Sequence, residues 1–302
     1  MEFSKLRDVL IAELEKLGYT QFTRGLLDGG CVMHKQMLIA HAEQKVQQTV
    51  LETLLTTERD LAIREFRQSN CLDGLQLQLG KLFDGKVKSY VFGDGVHAFP
   101  AYMRKHHPEV QYFSMKRMVG NRALVFHENA LVHFYMAPYY LQWCHHVLRK
   151  IKSGNMLHVR VEAQLRCAEE MSGLRARAII FDKIHQPWRV YINAVQQATG
   201  KPRSYLEQGP GIRKLYVVAK RLVNEPEPEF ILEPSWRFLD CPDVVAHHEK
   251  WRVHRKNEPM LQYLYDGAAS DQFLFAYLKV HIHAYTWSHT YTYIYTYTCV
   301  CW

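Results

Sequence analysis

The chain has 302 residues, 48% of them apolar and 23% charged, with 38 Lys and Arg against 30 Asp and Glu and a formal charge of +8. That balance excludes a disordered chain and allows one large or two ordinary domains with a sizeable core. The excess of cations suits an acidic partner, nucleic acid or protein, although a solvated basic surface has the same composition.

The opening run MEFSKLRDVLIAELEKLG places Leu6, Leu10, Leu14 and Leu17 at helical intervals, and Gly18 closes the pattern. Charges interrupt its apolar positions, so no secretory signal is expected, and no run reaches the roughly 18 apolar residues of a membrane span. Seven scattered cysteines, odd in number, fit reduced thiols and an intracellular chain, nuclear or cytoplasmic. From Cys31 to Ser69 there is neither Gly nor Pro. Val46, Val50, Leu54 and Leu61 form one stripe, widened by Leu51 and Leu55. The spacing predicts a long amphipathic helix over 31–69, roughly 50–60 Å in length, able to pair with a second copy as a homodimer.

Further along, CLDGLQLQLGKLF is ambiguous. Leu75, Leu77 and Leu79 alternate like a strand, while Leu72, Leu75, Leu79 and Leu82 fit a helix. KVKSYVF, Lys86 to Phe92, reads as a small β element. AFPAYMRKHH, GNRALVFHENALVHFYM and PYYLQWCHHVLRKI are helical in period, with Pro100 and Pro138 at first-turn positions. The stretch from His158 to Gly200 reads as two or three short helices, punctuated by Gly173, Pro187 and Gly200. IRKLYVVAKRLVN is an amphipathic helix with Leu215, Val218 and Leu222 on its core side. EPEPE is a stiff linker. A helix follows from about Pro242 to His254, with more near Phe273 to Val280. The final HIHAYTWSHTYTYIYTYTCVCW can be encoded by an alternating purine–pyrimidine tract. It reads as a low-complexity tail, with His281, His283, Cys299 and Cys301 as adventitious metal ligands at most.

Candidate chemistry is sparse. Gly93-x-Gly95-x-x-Ala98, between a strand-like run and a helix, is the outline of a dinucleotide-binding turn. No second parallel strand ending in an acidic residue follows, and a plain turn reads equally. The pairs His106-His107, His145-His146 and His247-His248 point about 100° apart on a helix and chelate poorly together. Cys241, His247, His248 and His254 match no zinc spacing. Asp94, Glu128, Asp182 and Glu207 are carboxylates that only the fold could assemble. Cys144 beside His145 and His146 is a nucleophile pair on paper, or a buried helical cysteine. The stronger signal is basic: Arg160, Arg166, Arg175, Arg177, Lys183 and Arg189 run through neighbouring helices around Trp188. Arg213, Lys214, Lys220 and Arg221 recur seven apart. Arg175, Arg177, Lys183, Arg189, Arg213, Lys214, Lys220 and Arg221 are therefore the expected contacts to phosphates or to an acidic protein.

From Phe99 to Trp236 the order of segments resembles the helical region of hAT-like, RNase H-like transposon-derived proteins. Gly120-Asn121-Arg122 opens an amphipathic helix, and ARAIIFDKIHQPWRV joins a small-residue helix to a Pro-Trp start. The resemblance implies a helical part of a domesticated or decayed element. The catalytic Asp residues of that class lie on strands of an RNase H-like sheet, and no such strand series or zinc-finger spacing is found here. Transposase chemistry is therefore not implied.

The expected fold is mainly α: a helical array with a long N-terminal amphipathic helix, at most a small β element, and a low-complexity tail. The expected organisation is N-terminal helices over 1–70, a helical core over 71–224, a linker and C-terminal helices over 225–280, and the tail over 281–302. The expected function is non-enzymatic binding or scaffolding, with no cofactor and no catalytic set. The alternative is a nucleotide- or metal-dependent enzyme using Gly93 and Gly95 or the histidine clusters.

Overall fold

The structure, a computed structural model, describes residues 71–83, 99–116, 123–148, 156–197 and 229–279, with residues 16, 40, 217 and 282 singly. The 31–69 helix, the Lys86 to Phe92 strand, Gly93 and Gly95, the 212–224 helix and the tail lie outside these residues. Within those segments only Ala40, Val217 and Ile282 are described, each helical. The described residues are mainly helical, and no strand occurs among them.

The ambiguous leucine run is helix α1, Cys71–Phe83. Leu75, Leu79 and Phe83 are fully buried at i, i+4 and i+8, while Leu77 remains 43% exposed. One buried face selects the 3.6-residue period over the two-residue one. Helix α2, Phe99–His106, carries Pro100 in its first turn and Arg104, Lys105 and His106 in its last, as its dipole favours. Its Phe99 and Met103 are buried, one turn apart.

Helix α3, Ala123–Leu148, is one continuous element of 26 residues with Pro138 in its interior. This corrects the expectation that Pro138 opens a separate helix. Proline removes the N–H that the Phe134 carbonyl would receive. Helix is kept because residues on both sides of it are core: Phe134, Met136, Ala137, Tyr140 and Trp143 are all buried. Phe83 of α1 stacks on Tyr140 at 4.0 Å and meets Phe99 and Trp143 edge-on at 4.9 and 5.1 Å, tying α1, α2 and α3 together.

Helix α4, Met156–Leu165, leads into α5, Ala168–Ile180, then a π-helical turn, Phe181–His185, then α6, Gln186–Gln197. Backbone angles stay helical across both joints, φ −61° at Phe181 and φ −68° at Gln186, so 168–197 is one rod with a π insertion. Gly173 and Ala176 are buried on it, and such small residues let α5 lie close along α3. Gly173 therefore sits inside a helix and does not end one. Short helix α7, Glu229–Leu232, precedes α8, Pro242–Arg252, which packs on α6. Helix α9, Glu258–Tyr265, packs on α3, and sequence periodicity alone did not mark it. Gly267 takes a left-handed φ of 63° after it, a conformation where a side chain strains the backbone. Residues 272–279 are helical, with the Asp271 carboxylate accepting the Leu274 N–H as an N-cap.

Polar fastenings cross this core. Gln76 of α1 donates to the Phe126 carbonyl at 2.8 Å and accepts from Arg177 Nη1 at 2.7 Å, joining α1, α3 and α5. Asn129 exchanges two hydrogen bonds with the backbone of Lys116, 2.9 and 2.8 Å. His133 is fully buried in α3, and burial pushes its imidazole down to about 3. An unfolded histidine titrates near 6.5. Below about pH 6.5 the unfolded chain therefore takes a proton that the folded chain refuses. Stability should fall as pH drops from about 6.5 toward 3, by about 1.4 kcal/mol per pH unit, with no contribution above 6.5. His133→Gln should flatten the pH slope of the urea midpoint by about that amount. A slope unchanged by the substitution would refute the assignment.

Candidate functional site

Four of the eight expected binding cations are described, and they point inward. Arg177 is 1% exposed. Arg175, 7% exposed, donates to the carbonyls of Leu264 (2.9 Å) and Asp266, and lies 3.6 Å from Asp271. Burial lowers its guanidinium from the ordinary value, against the opposing pull of Asp271. Arg189 is half-buried, bonded to Glu128 at 3.1 Å and placed over the Phe181 ring. Glu128 is also held by Lys116 at 2.6 Å. Three of the four are thus engaged in holding helices together. Lys183 is different, because its side chain lines a pocket. Arg213, Lys214, Lys220 and Arg221 lie outside the described residues.

The pocket encloses about 310 Å³ between the π turn, the 236–239 segment and α8. One side is polar: Lys183, Arg237, His248 and Arg252. The other is apolar: Pro187, Trp236, Phe238, Leu239, Val244 and Val245. Local sequence explains each wall. The extra residue of a π turn re-aims the side chains within it, and such turns recur at functional sites. Here they are Asp182 and Lys183. In the irregular WRFL segment, Trp236 and Phe238 alternate inward with Arg237 facing out, and Arg237 Nη1 is pinned by the Pro234 carbonyl at 2.6 Å. On α8, Val244, His248 and Arg252 follow at i, i+4 and i+8, so all three meet the pocket.

Beneath the polar wall sits Asp182, fully buried. Its carboxylate accepts the Tyr265 hydroxyl at 2.5 Å and lies 3.4 Å from both His248 Nε2 and Arg252 Nε. Burial raises its carboxyl above the usual carboxylate range, and the Arg252 charge and Tyr265 bond offset only part of that. Tyr265 is itself pushed far up by burial and by Asp182. Burial takes His248 down to about 4, so it is neutral at pH 7. Lys183 donates to the Glu233 carbonyl at 3.2 Å and rests 5.3 Å from the Tyr265 ring centre. Burial, reinforced by Arg252 and Arg237, lowers its ammonium to about 8. Arg237 also pairs with Glu249 at 3.2 Å. Even with Asp182 and Glu249 ionised, three cations outnumber two carboxylates here.

The other candidates separate. His106 packs on Tyr102 (4.6 Å) and His146 (5.3 Å), whereas His107 turns to Tyr139 and Glu109, as the 100° step requires. His145 lies 3.6 Å from Glu162. His247 bonds the Asp243 carbonyl and His254 accepts the Lys256 N–H. Cys144 is buried, and burial with the nearby Glu162 carboxylate drives its thiol up to about 12, so it is a core residue with no thiolate at neutral pH. Glu128 and Asp182 stand in different networks, while Asp94 and Glu207 lie outside the described residues. Among the described residues, no three His, Cys, Asp or Glu are arranged to hold a metal ion. No described helix is long and apolar enough to cross a membrane.

Sequence reasoning singled out Lys183 as a cation, Asp182 as a carboxylate and His248 as one of a pair. It missed Trp236, Arg237, Arg252 and Tyr265. A cation flanked by two large aromatics in a non-helical run, WRF, and the His248–Arg252 i,i+4 step were signals available for three of them. Comparison with protein-family models, with curated proteins and with solved structures finds no match to this chain.

Proposed function

We propose that this chain is a helical binding module and that its ligand is a small organic anion, a phosphate or carboxylate on an apolar body. The observation that carries the reading is the two-sided pocket. Lys183, Arg237 and Arg252 supply positive charge on one wall, and Trp236, Phe238 and Val244 supply apolar surface on the other. Guanidinium forks suit a planar carboxylate or a phosphate edge, and charge-assisted hydrogen bonds are the strong ones. A pocket of about 310 Å³ suits a single headgroup with a ring or short chain attached. The acidic partner expected from the charge of the chain is thereby narrowed to an acidic group that enters a pocket. Nucleic-acid contact through Arg213, Lys214, Lys220 and Arg221, and the transposon-derived origin that the resemblance implies, are compatible with this reading and not required by it.

Titration calorimetry with phenyl phosphate tests it, with benzyl alcohol as the uncharged control. Phenyl phosphate should bind and benzyl alcohol should not. Arg237→Ala should weaken binding about 10-fold or more, the usual worth of a charge-assisted hydrogen bond. Arg237 is half-exposed and pinned only locally, so the variant should keep its fold. Equal affinity for the charged and uncharged compounds would overturn the reading.

A further inference from the structure

We propose that Lys183 is a covalent capture point within this pocket, forming a reversible imine with an aldehyde or ketone that also bears a phosphate or carboxylate. The inference rests on the anion-binding reading above and adds a second requirement, a carbonyl carbon beside the charged group.

Three features of the geometry lead there. Lys183 is 5% exposed, yet its side chain lines the pocket, so the amine faces a bound molecule and little else. Its Nζ is held in place by the Glu233 carbonyl at 3.2 Å and the Tyr265 ring at 5.3 Å, which removes much of the freedom of a surface lysine. Arg237 and Arg252 line the same cavity and can hold an anionic group while the carbonyl meets the amine. Phosphate anchoring and amine attack thus fall to different side chains, as a bifunctional ligand needs.

The protonation state agrees. Burial and the two guanidinium charges depress the ammonium to about 8. Roughly a tenth of Lys183 is then the free amine at pH 7, on the order of 100-fold more than for an ordinary lysine. Desolvated lysines beside other cations are the ones that form imines. The step is balanced without any further reactant. The free amine attacks the carbonyl carbon, the C–N bond forms, and the carbonyl oxygen takes up a proton to give a carbinolamine. That oxygen then leaves as water with the two amine hydrogens, and the C=N bond remains. No electrons are transferred, and hydrolysis reverses it.

The probe is pyridoxal 5′-phosphate at less than one equivalent, with borohydride to fix any imine as a secondary amine and peptide mass spectrometry to locate it. Lys183 should be labelled about 10-fold or more faster than the exposed Lys105, Lys250 and Lys256. Pyridoxine 5′-phosphate, which has an alcohol in place of the aldehyde, should suppress labelling of Lys183 and leave the others unchanged. Lys183→Arg should lose the preferred adduct. The suppression measured on the unaltered chain decides the matter even where that variant folds poorly. Labelling spread evenly over the lysines, with calorimetric binding of pyridoxine 5′-phosphate retained, would overturn the imine and leave the anion site standing. Even labelling with no binding of pyridoxine 5′-phosphate would overturn both.

Discussion

Alanine in place of Arg175 is expected to destabilise the fold by about 3–5 kcal/mol, the range for a buried ion pair stripped of one partner. Arg175 reaches from α5 to three points on one short stretch: the Leu264 carbonyl, the Asp266 carbonyl and the Asp271 carboxylate. Those acceptors hold the end of α9 and the turn through Gly267. Asp271 in turn accepts from Ser172 at 2.7 Å and caps the helix over 272–279. The guanidinium also lies 5.3 Å from the Phe134 ring centre of α3. Removing it leaves two carbonyls without their donor and a carboxylate in low dielectric without its cation. The urea midpoint should shift by that amount with an unchanged m-value. A loss below about 1 kcal/mol would show that solvent replaces the cation and that the site is more open than its burial indicates.

Asp182→Ala should cost a similar amount, about 3–5 kcal/mol, because it leaves Arg252 and Lys183 without the only carboxylate buried among them. The asparagine variant separates stability from electrostatics. Asp182→Asn keeps the volume and an acceptor for the Tyr265 hydroxyl, so it should destabilise less. It also removes a negative charge from beneath the cationic wall, so phenyl phosphate should bind more tightly to it than to the unaltered chain. Tighter binding together with lower stability is the signature of a group that holds the pocket and opposes its ligand. Weaker binding in Asp182→Asn would mean that Asp182 positions Arg252 for the anion, and that its charge matters less than its geometry.

Helix identity was legible where burial is one-sided. Leu75, Leu79 and Phe83, Phe99 and Met103, and Val244 and His248 each mark a buried face by spacing alone. Legibility failed where an element is apolar all round or short. Pro138 reads as a helix start, because nothing local says that core residues before and after it will hold the helix through it. Helix α9 spans only 8 residues after Asn257, and no long periodic stripe announces it. The basic residues taught the opposite lesson. Arg175 and Arg177 look like surface charge in a one-dimensional reading. Their partners are Leu264, Asp271 and Gln76, 89 to 101 residues away. No local pattern can reveal a cation whose counter-charge or acceptor is that distant. The pocket was half-visible for the same reason: its π turn and its WRF segment are each suggestive, and only the packing of α8 on α6 brings them together.

A crystal structure with 4-bromophenyl phosphate, the bromine located by anomalous scattering, tests the anion site most directly. The phosphate should lie within hydrogen-bonding distance of the Arg237 and Lys183 side chains, with the bromophenyl ring against Trp236 and Val244. Bromine density confined to other surfaces at full ligand saturation, with this cavity holding solvent alone, would contradict it.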